Sequence, residues 1–123
     1  MNQIYDFSVD IWSVGCIFAE LLGMMKESFD NFADRVPLFP GHSCEPLSPG
    51  TSGVTEEAKT KRILNDQLNV IFDVIGTPKP DDSMDFLNDK ESVAYVRNFP
   101  ARERAEFSDM FPGCDDKGIQ LLY

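Results

Sequence analysis

Cations are scarce in this chain. Its 123 residues carry 11 Lys and Arg against 21 Asp and Glu, a formal charge of −10. Nucleic acid and anionic membrane surfaces repel such a protein, so neither is an expected partner. The one basic cluster, Lys59, Lys61 and Arg62, adjoins Glu56 and Glu57. Histidine occurs once, as His42, with no cysteine pair nearby to complete a zinc site. Cysteine occurs as Cys16, Cys44 and Cys114. An odd count, wide spacing and no CxxC exclude a disulfide framework and read as reduced thiols of an intracellular protein. Long apolar runs are missing too. The longest apolar segment, Val9 to Met25, contains Asp10 and Glu20 and is shorter than the roughly 20 residues a bilayer requires. No Lys or Arg precedes Lys26, and Asp6 and Asp10 stand where the basic start of a signal peptide would lie, so no leader is expected. No strand pattern or internal repeat stands out.

What is present reads as helix and loop. In "SVDIWSVGCIFAELLGMM", Ser8 is the expected N-cap, and Asp10 in the first turn favours the helix dipole. The apolar residues Val9, Ile11, Trp12, Val14, Ile17, Phe18, Leu21 and Leu22 do not keep to one stripe. A helix apolar on all sides belongs at the centre of a larger protein. A chain of this size supports only one modest core, and the remaining residues are too polar and loop-rich to surround such a helix. Residues 26–36 and 42–62 read as loops from their prolines, glycines and serines. "PLFPG" is a turn with Leu38 and Phe39 as apolar anchors. "PLSP", Pro46 to Pro49, suits a proline-directed kinase, and a phosphate on Ser48 would add roughly −1.5 to −2 charge.

The clearest amphipathic helix follows. Leu64, Leu68, Ile71, Phe72 and Ile75 share one face, while Asp66, Gln67, Asn69 and Asp73 fall mostly on the other. Gly76 and Pro78 end it. Short helices are expected over Asp81 to Asn88 and Ser92 to Arg97. A last helix, capped by Asp115 and carrying Ile119, Leu121 and Leu122, stops at Tyr123 after barely two turns. The expectation is therefore a part of a larger domain.

"DIWSVGCIFAELL" resembles the central buried helix in the large lobe of eukaryotic protein kinases. Asp10, Trp12, Ser13 and Gly15 match the family pattern D-x-W-S-x-G. "PLFPG" and "DQLNVIFDVIGTP" resemble the branch that holds MAP kinases and cyclin-dependent kinases. "AYVRNFP" and "FPGCDDKGIQLL" resemble the MAP kinase insert and the helix after it. The resemblance covers nearly the whole chain; loops 26–36 and 42–62 depart from it, being usually much shorter in the family. It implies an all-α part of the large, C-terminal lobe over residues 1–123. It also implies a parent enzyme that transfers the ATP γ-phosphate to Ser or Thr before Pro, with ATP and magnesium as cofactors, in the cytoplasm and nucleus.

The same resemblance gives Asp10, with Trp12 and Gly15, the role of a structural anchor that accepts backbone N–H groups of the catalytic loop. A buried carboxylate needs such donors; read from the residues alone, Asp10 caps its own helix. Glu20 is expected to hold a local ion pair. Leu64, Leu68 and Tyr95 match positions of a docking pocket for aromatic peptide motifs, where Asn65 is polar at a position commonly apolar. Read without the family, Leu64 and Leu68 simply face the core. The glycine-rich loop, H-R-D-x-x-x-x-N, D-F-G and A-P-E are all missing, and His42 is followed by Ser43. The chain is therefore expected to hold no catalytic, cofactor-binding or metal-binding residue. Its expected partners are the rest of the kinase domain and the protein substrates or docking peptides of the parent. The alternative is a non-catalytic short product acting as a protein-binding module.

Overall fold

A computed structural model of the chain describes residues 7–25, 27, 31–41, 66–87 and 89–123. The regular elements among them are all helical: α1 (Ser8–Leu22), a 3-10 turn (Phe32–Asp34), α2 (Gln67–Ile75), α3 (Lys90–Arg97), α4 (Phe107–Met110) and α5 (Asp116–Gln120). The all-α expectation holds, with no strand among the described residues. The chain divides into two compact units, Met1–Pro40 with Glu106–Tyr123, and Gly41–Ala105.

The first unit has a small core of Ala19, Leu22, Phe107, Phe111 and Ile119. Within it α4 packs on α5, and Phe107 meets Tyr123 edge to face, with ring centroids 5.2 Å apart. As expected, Asp115 caps the last helix, its carboxylate accepting the Gly118 N–H at 2.8 Å. The start of α1 differs from expectation. Phe7 already has helical dihedral angles (φ −63°, ψ −10°), so the N-cap lies there and Ser8 sits inside the first turn. The cause is local: an N-cap residue normally takes an extended backbone, and here the helical spiral continues one residue further back. In loop 26–36 the Asn31 side chain accepts the Ala33 N–H at 3.0 Å and starts the 3-10 turn.

The second unit is built around α2. Phe72 and Val74 are buried with Met84 and Phe99. Phe99 stands edge-on to Phe72 at 5.3 Å. Gly76 ends α2 with φ +81°, a backbone conformation that favours glycine. A Cβ there would also come within 3.0 Å of the Arg104 backbone nitrogen. This close approach lets residues 100–105 run beside the end of α2: Ala105 N–H donates to Val74 C=O at 2.9 Å and Thr77 N–H to Arg102 C=O at 3.1 Å.

Residues 81–87 form turns rather than the expected helix over Asp81 to Asn88. Side-chain oxygens compete there with the helical ladder. Asp82 accepts the Lys79 N–H at 2.7 Å, and the Ser83 hydroxyl donates to Asp85 at 2.8 Å. The guanidinium of Arg97 fixes the same stretch by donating to the carbonyls of Pro78, Lys79 and Asp82. The helix expected over Ser92 to Arg97 is α3, which starts earlier at Lys90 because Asp89 caps it, accepting the Ser92 N–H at 2.7 Å.

Candidate functional site

Two sets of residues carry functional expectations, and each lies within its own unit. The first is on α1. Asp10 is exposed in the first turn and Gly15 is half-buried. A Cβ on Gly15 would meet nothing within 4 Å. The Trp12 indole stacks on Phe39, with ring centroids 5.1 Å apart and planes 12° apart. Glu20, in the last turn of α1, accepts the Leu38 N–H at 3.1 Å. Trp12 and Glu20 thus hold the "PLFPG" turn along the helix, which explains why Leu38 and Phe39 are its anchors. Between the end of α1 and residues 35–40 lies an open groove of about 670 Å³, lined by Ala19, Gly23, Met24, Val36 and Pro37 among others. The rest of α1 is uncovered: Ile11 is 69% exposed, Val14 61% and Ile17 62%. Cys16 is half-buried on the same helix, where burial, and then the charge of Glu20, push its thiol pKa up and keep it protonated.

The second set is on α2 and α3. Leu64 and Ser48 lie outside the described residues, as do Cys44, His42 and Asn65. Leu68 is half-buried in the first turn of α2, and Tyr95 is half-buried on α3. They are linked through Asp66, a residue the sequence places on the polar face. Asp66 is instead 1% exposed. One of its carboxylate oxygens accepts the Leu68 N–H at 2.9 Å and caps α2; the other accepts the Tyr95 hydroxyl. Tyr95 also stands edge-on to Phe99, with ring centroids 5.5 Å apart. Burial, and then the hydrogen bond to Asp66 and its charge, raise the Tyr95 pKa well above the ordinary phenol range.

Asn69, also expected on the polar face, is buried because Arg102 reaches it. The guanidinium donates to Asn69 Oδ1 at 2.7 Å and pairs with Asp73 at 2.8 Å. Asp66 could have been found from the N-cap rule, since an Asp directly before an apolar-periodic run is a helix-start signal. Nothing local announces Asn69, whose partner lies 33 residues on.

The chain has no glycine-rich phosphate loop, and no three His, Cys, Asp or Glu side chains converge as a metal site would need among the described residues. No helix among those residues is long and apolar enough to cross a membrane.

No protein-family model matches the chain. Curated relatives do. The chain is 34% identical over 120 residues to Mitogen-activated protein kinase HOG1 of Beauveria bassiana, covering 98% of the chain and 25% of that protein. It is 33% identical over 120 residues to Mitogen-activated protein kinase hog1 of Aspergillus glaucus, covering 98% of the chain and 24% of the relative. Outside the fungi it is 31% identical over 118 residues to Mitogen-activated protein kinase 2 of Arabidopsis thaliana, covering 96% and 23%. The chain thus spans about a quarter of the length of the curated relatives it matches. With only helices among the regular elements described, carrying the D-x-W-S-x-G pattern and aligned along almost its whole length, this chain is homologous to one segment of the mitogen-activated protein kinases.

Proposed function

We propose that the chain is part of the large lobe of a MAP-kinase-like Ser/Thr kinase, whose complete form transfers the γ-phosphate of ATP to Ser or Thr before Pro in the cytoplasm and nucleus. The uncovered apolar surface of α1 carries this reading. Val9, Ile11, Val14, Ile17 and Leu21 are each at least half exposed, a pattern that calls for further protein surface around the helix. The rest of the kinase domain is the natural partner. In that setting Asp10 accepts catalytic-loop N–H groups, in keeping with its position and its motif, and acts as an anchor rather than a base. ATP and magnesium belong to the parent. The chain alone lacks the groups that clamp nucleotide and position the attacking hydroxyl.

The test is the complete transcript of the locus, followed by an assay. The expected transcript encodes H-R-D, D-F-G and A-P-E in frame upstream of Met1. Its product phosphorylates a Ser-Pro peptide with Mg-ATP, and the 123-residue chain does not. A transcript that begins at Met1, or transfer by the pure short chain, overturns the reading.

A docking role complements this one. Leu64, Leu68 and Tyr95 form, in this reading, a surface for aromatic side chains of protein partners. Its support is the Asp66 bridge, which joins the Leu68 backbone to the Tyr95 side chain. The phenylalanines backing Tyr95 make an aromatic ring a complementary occupant. A labelled peptide carrying two phenylalanines is expected to bind the chain, and Tyr95→Ala to abolish binding.

A further inference from the structure

Methionines gather where the end of α1 meets the segment that follows α4. Met24, in the turn after α1, and Met110, the last residue of α4, line the same groove. Met25 covers Gly113: a Cβ placed there would lie 3.2 Å from the Met25 methyl carbon and 2.8 Å from the Cβ of Glu27. All of these residues belong to the first unit, and they join its two stretches of chain, 1–40 and 106–123. The joint is therefore lined on both sides by thioethers, which fill irregular gaps well and are open to oxidation.

The methionines are not equally reachable. Met24 is 62% exposed, and Met25 and Met110 are half-buried. Met84, 7% exposed in the core of the second unit, is the opposite case. A peroxide that reaches the sulfur transfers one oxygen to it. The thioether is oxidised to a sulfoxide, and the peroxide is reduced, hydrogen peroxide leaving as water. The product is polar and chiral where the thioether was apolar and flexible. At Met24 the new S=O group would stand among Ala19, Val36 and Pro37, whose side chains offer it no hydrogen-bond donor. Hydrating that oxygen turns the side chain out of the groove. The thiol of Cys16, on the same helix, does not compete for the oxidant. Burial and the charge of Glu20 keep it protonated, and the thiolate is the reactive form.

We propose that Met24 is a peroxide-sensitive modification site, and that its sulfoxide loosens the joint between the end of α1 and residues 107–113. Methionine sulfoxide reductases return the thioether, so the change is reversible.

The full 123-residue chain is treated with hydrogen peroxide at a dose that oxidises one methionine, and the sulfoxide at each position is measured by peptide mass spectrometry. Amide exchange of residues 107–113 is followed before and after treatment. The same is done on Met24→Leu, which keeps an apolar side chain of similar size and has no sulfur there. Met24 is expected to oxidise about tenfold faster than Met84, and ahead of Met25 and Met110. Exchange of residues 107–113 should rise about threefold in the treated native chain and return on incubation with both stereospecific reductases. In treated Met24→Leu it should stay at the untreated level. Oxidation of Met24 no faster than that of Met84 overturns the proposal. So does exchange that is unchanged when Met24 is oxidised, or that rises equally in Met24→Leu. Should Met24→Leu fail to fold, the native chain decides: exchange that rises with sulfoxide at Met24 and falls on its reduction sustains the proposal, and exchange indifferent to both ends it.

Discussion

α1 and α2 are both strongly apolar helices, and they end in opposite situations. α2 buries Phe72 and Val74, and its aromatic contacts continue through Phe99 to Tyr95. α1 is longer, yet buries only Ala19 and Leu22 and leaves five large aliphatic side chains at least half exposed. Composition does not separate them. What separates them is whether the sequence that follows supplies a partner. For α2 it does: Met84, Phe99 and the 100–105 strip are all in its unit. For α1 the "PLFPG" turn covers one side through Trp12 and Glu20, and the described residues leave the other side bare. An apolar helix is a demand for surroundings, and a sequence can state the demand without meeting it.

The largest effect should come from the centre of the satisfied region. Phe99→Ala removes the ring shared by Phe72 and Tyr95 and is expected to cost about 3–5 kcal/mol. Urea denaturation followed by fluorescence of a probe in that unit would measure it, and a cost near zero would show that the aromatic chain is not a core.

Tyr95→Phe should come next, at about 1.5–3 kcal/mol at neutral pH, because it removes the hydroxyl that donates to a buried carboxylate. It also has a pH signature. The folded-state pKa of Tyr95 is raised above its unfolded value near 10, so folding favours the neutral hydroxyl. The contribution is complete below about pH 10 and is lost as pH rises through the folded-state pKa. Native stability should therefore fall faster above pH 10 than that of Tyr95→Phe; parallel curves would remove Tyr95 from the account.

Gly76→Ala should cost about 1–3 kcal/mol, since φ is +81° and the new Cβ would press on the Arg104 backbone. Thermal melts of the two proteins suffice to check it.

The smallest effect should be on α1. Ile17→Glu replaces a side chain that is 62% exposed and should change stability by no more than about 0.5 kcal/mol, while reducing self-association in analytical ultracentrifugation. A large destabilisation would mean that α1 is packed after all, and the contrast between the helices would fail.

Much of this contrast was legible in the sequence. The all-round apolar pattern of residues 9–25 announced a helix without surroundings, and Gly76 and Asp115 announced a helix end and a helix start. Other features depended on distant partners. Asp66 and Asn69 read as solvent-facing because their polarity suits that face of α2, and they are buried because Tyr95 and Arg102 come to meet them. Asp81 to Asn88 reads as helix because its residues permit one, but Asp82, Ser83 and Asp85 bond locally and Arg97 takes the Asp82 carbonyl. Leu68 and Tyr95 were singled out by the family pattern, while the carboxylate joining them came only with the fold.

Amide hydrogen exchange on the 123-residue chain tests the central contrast most directly. The account predicts that amides of residues 69–75 in α2 exchange markedly more slowly than those of residues 11–18 in α1, because only α2 sits on a completed core. Equal protection of the two helices, or stronger protection of α1, would contradict it.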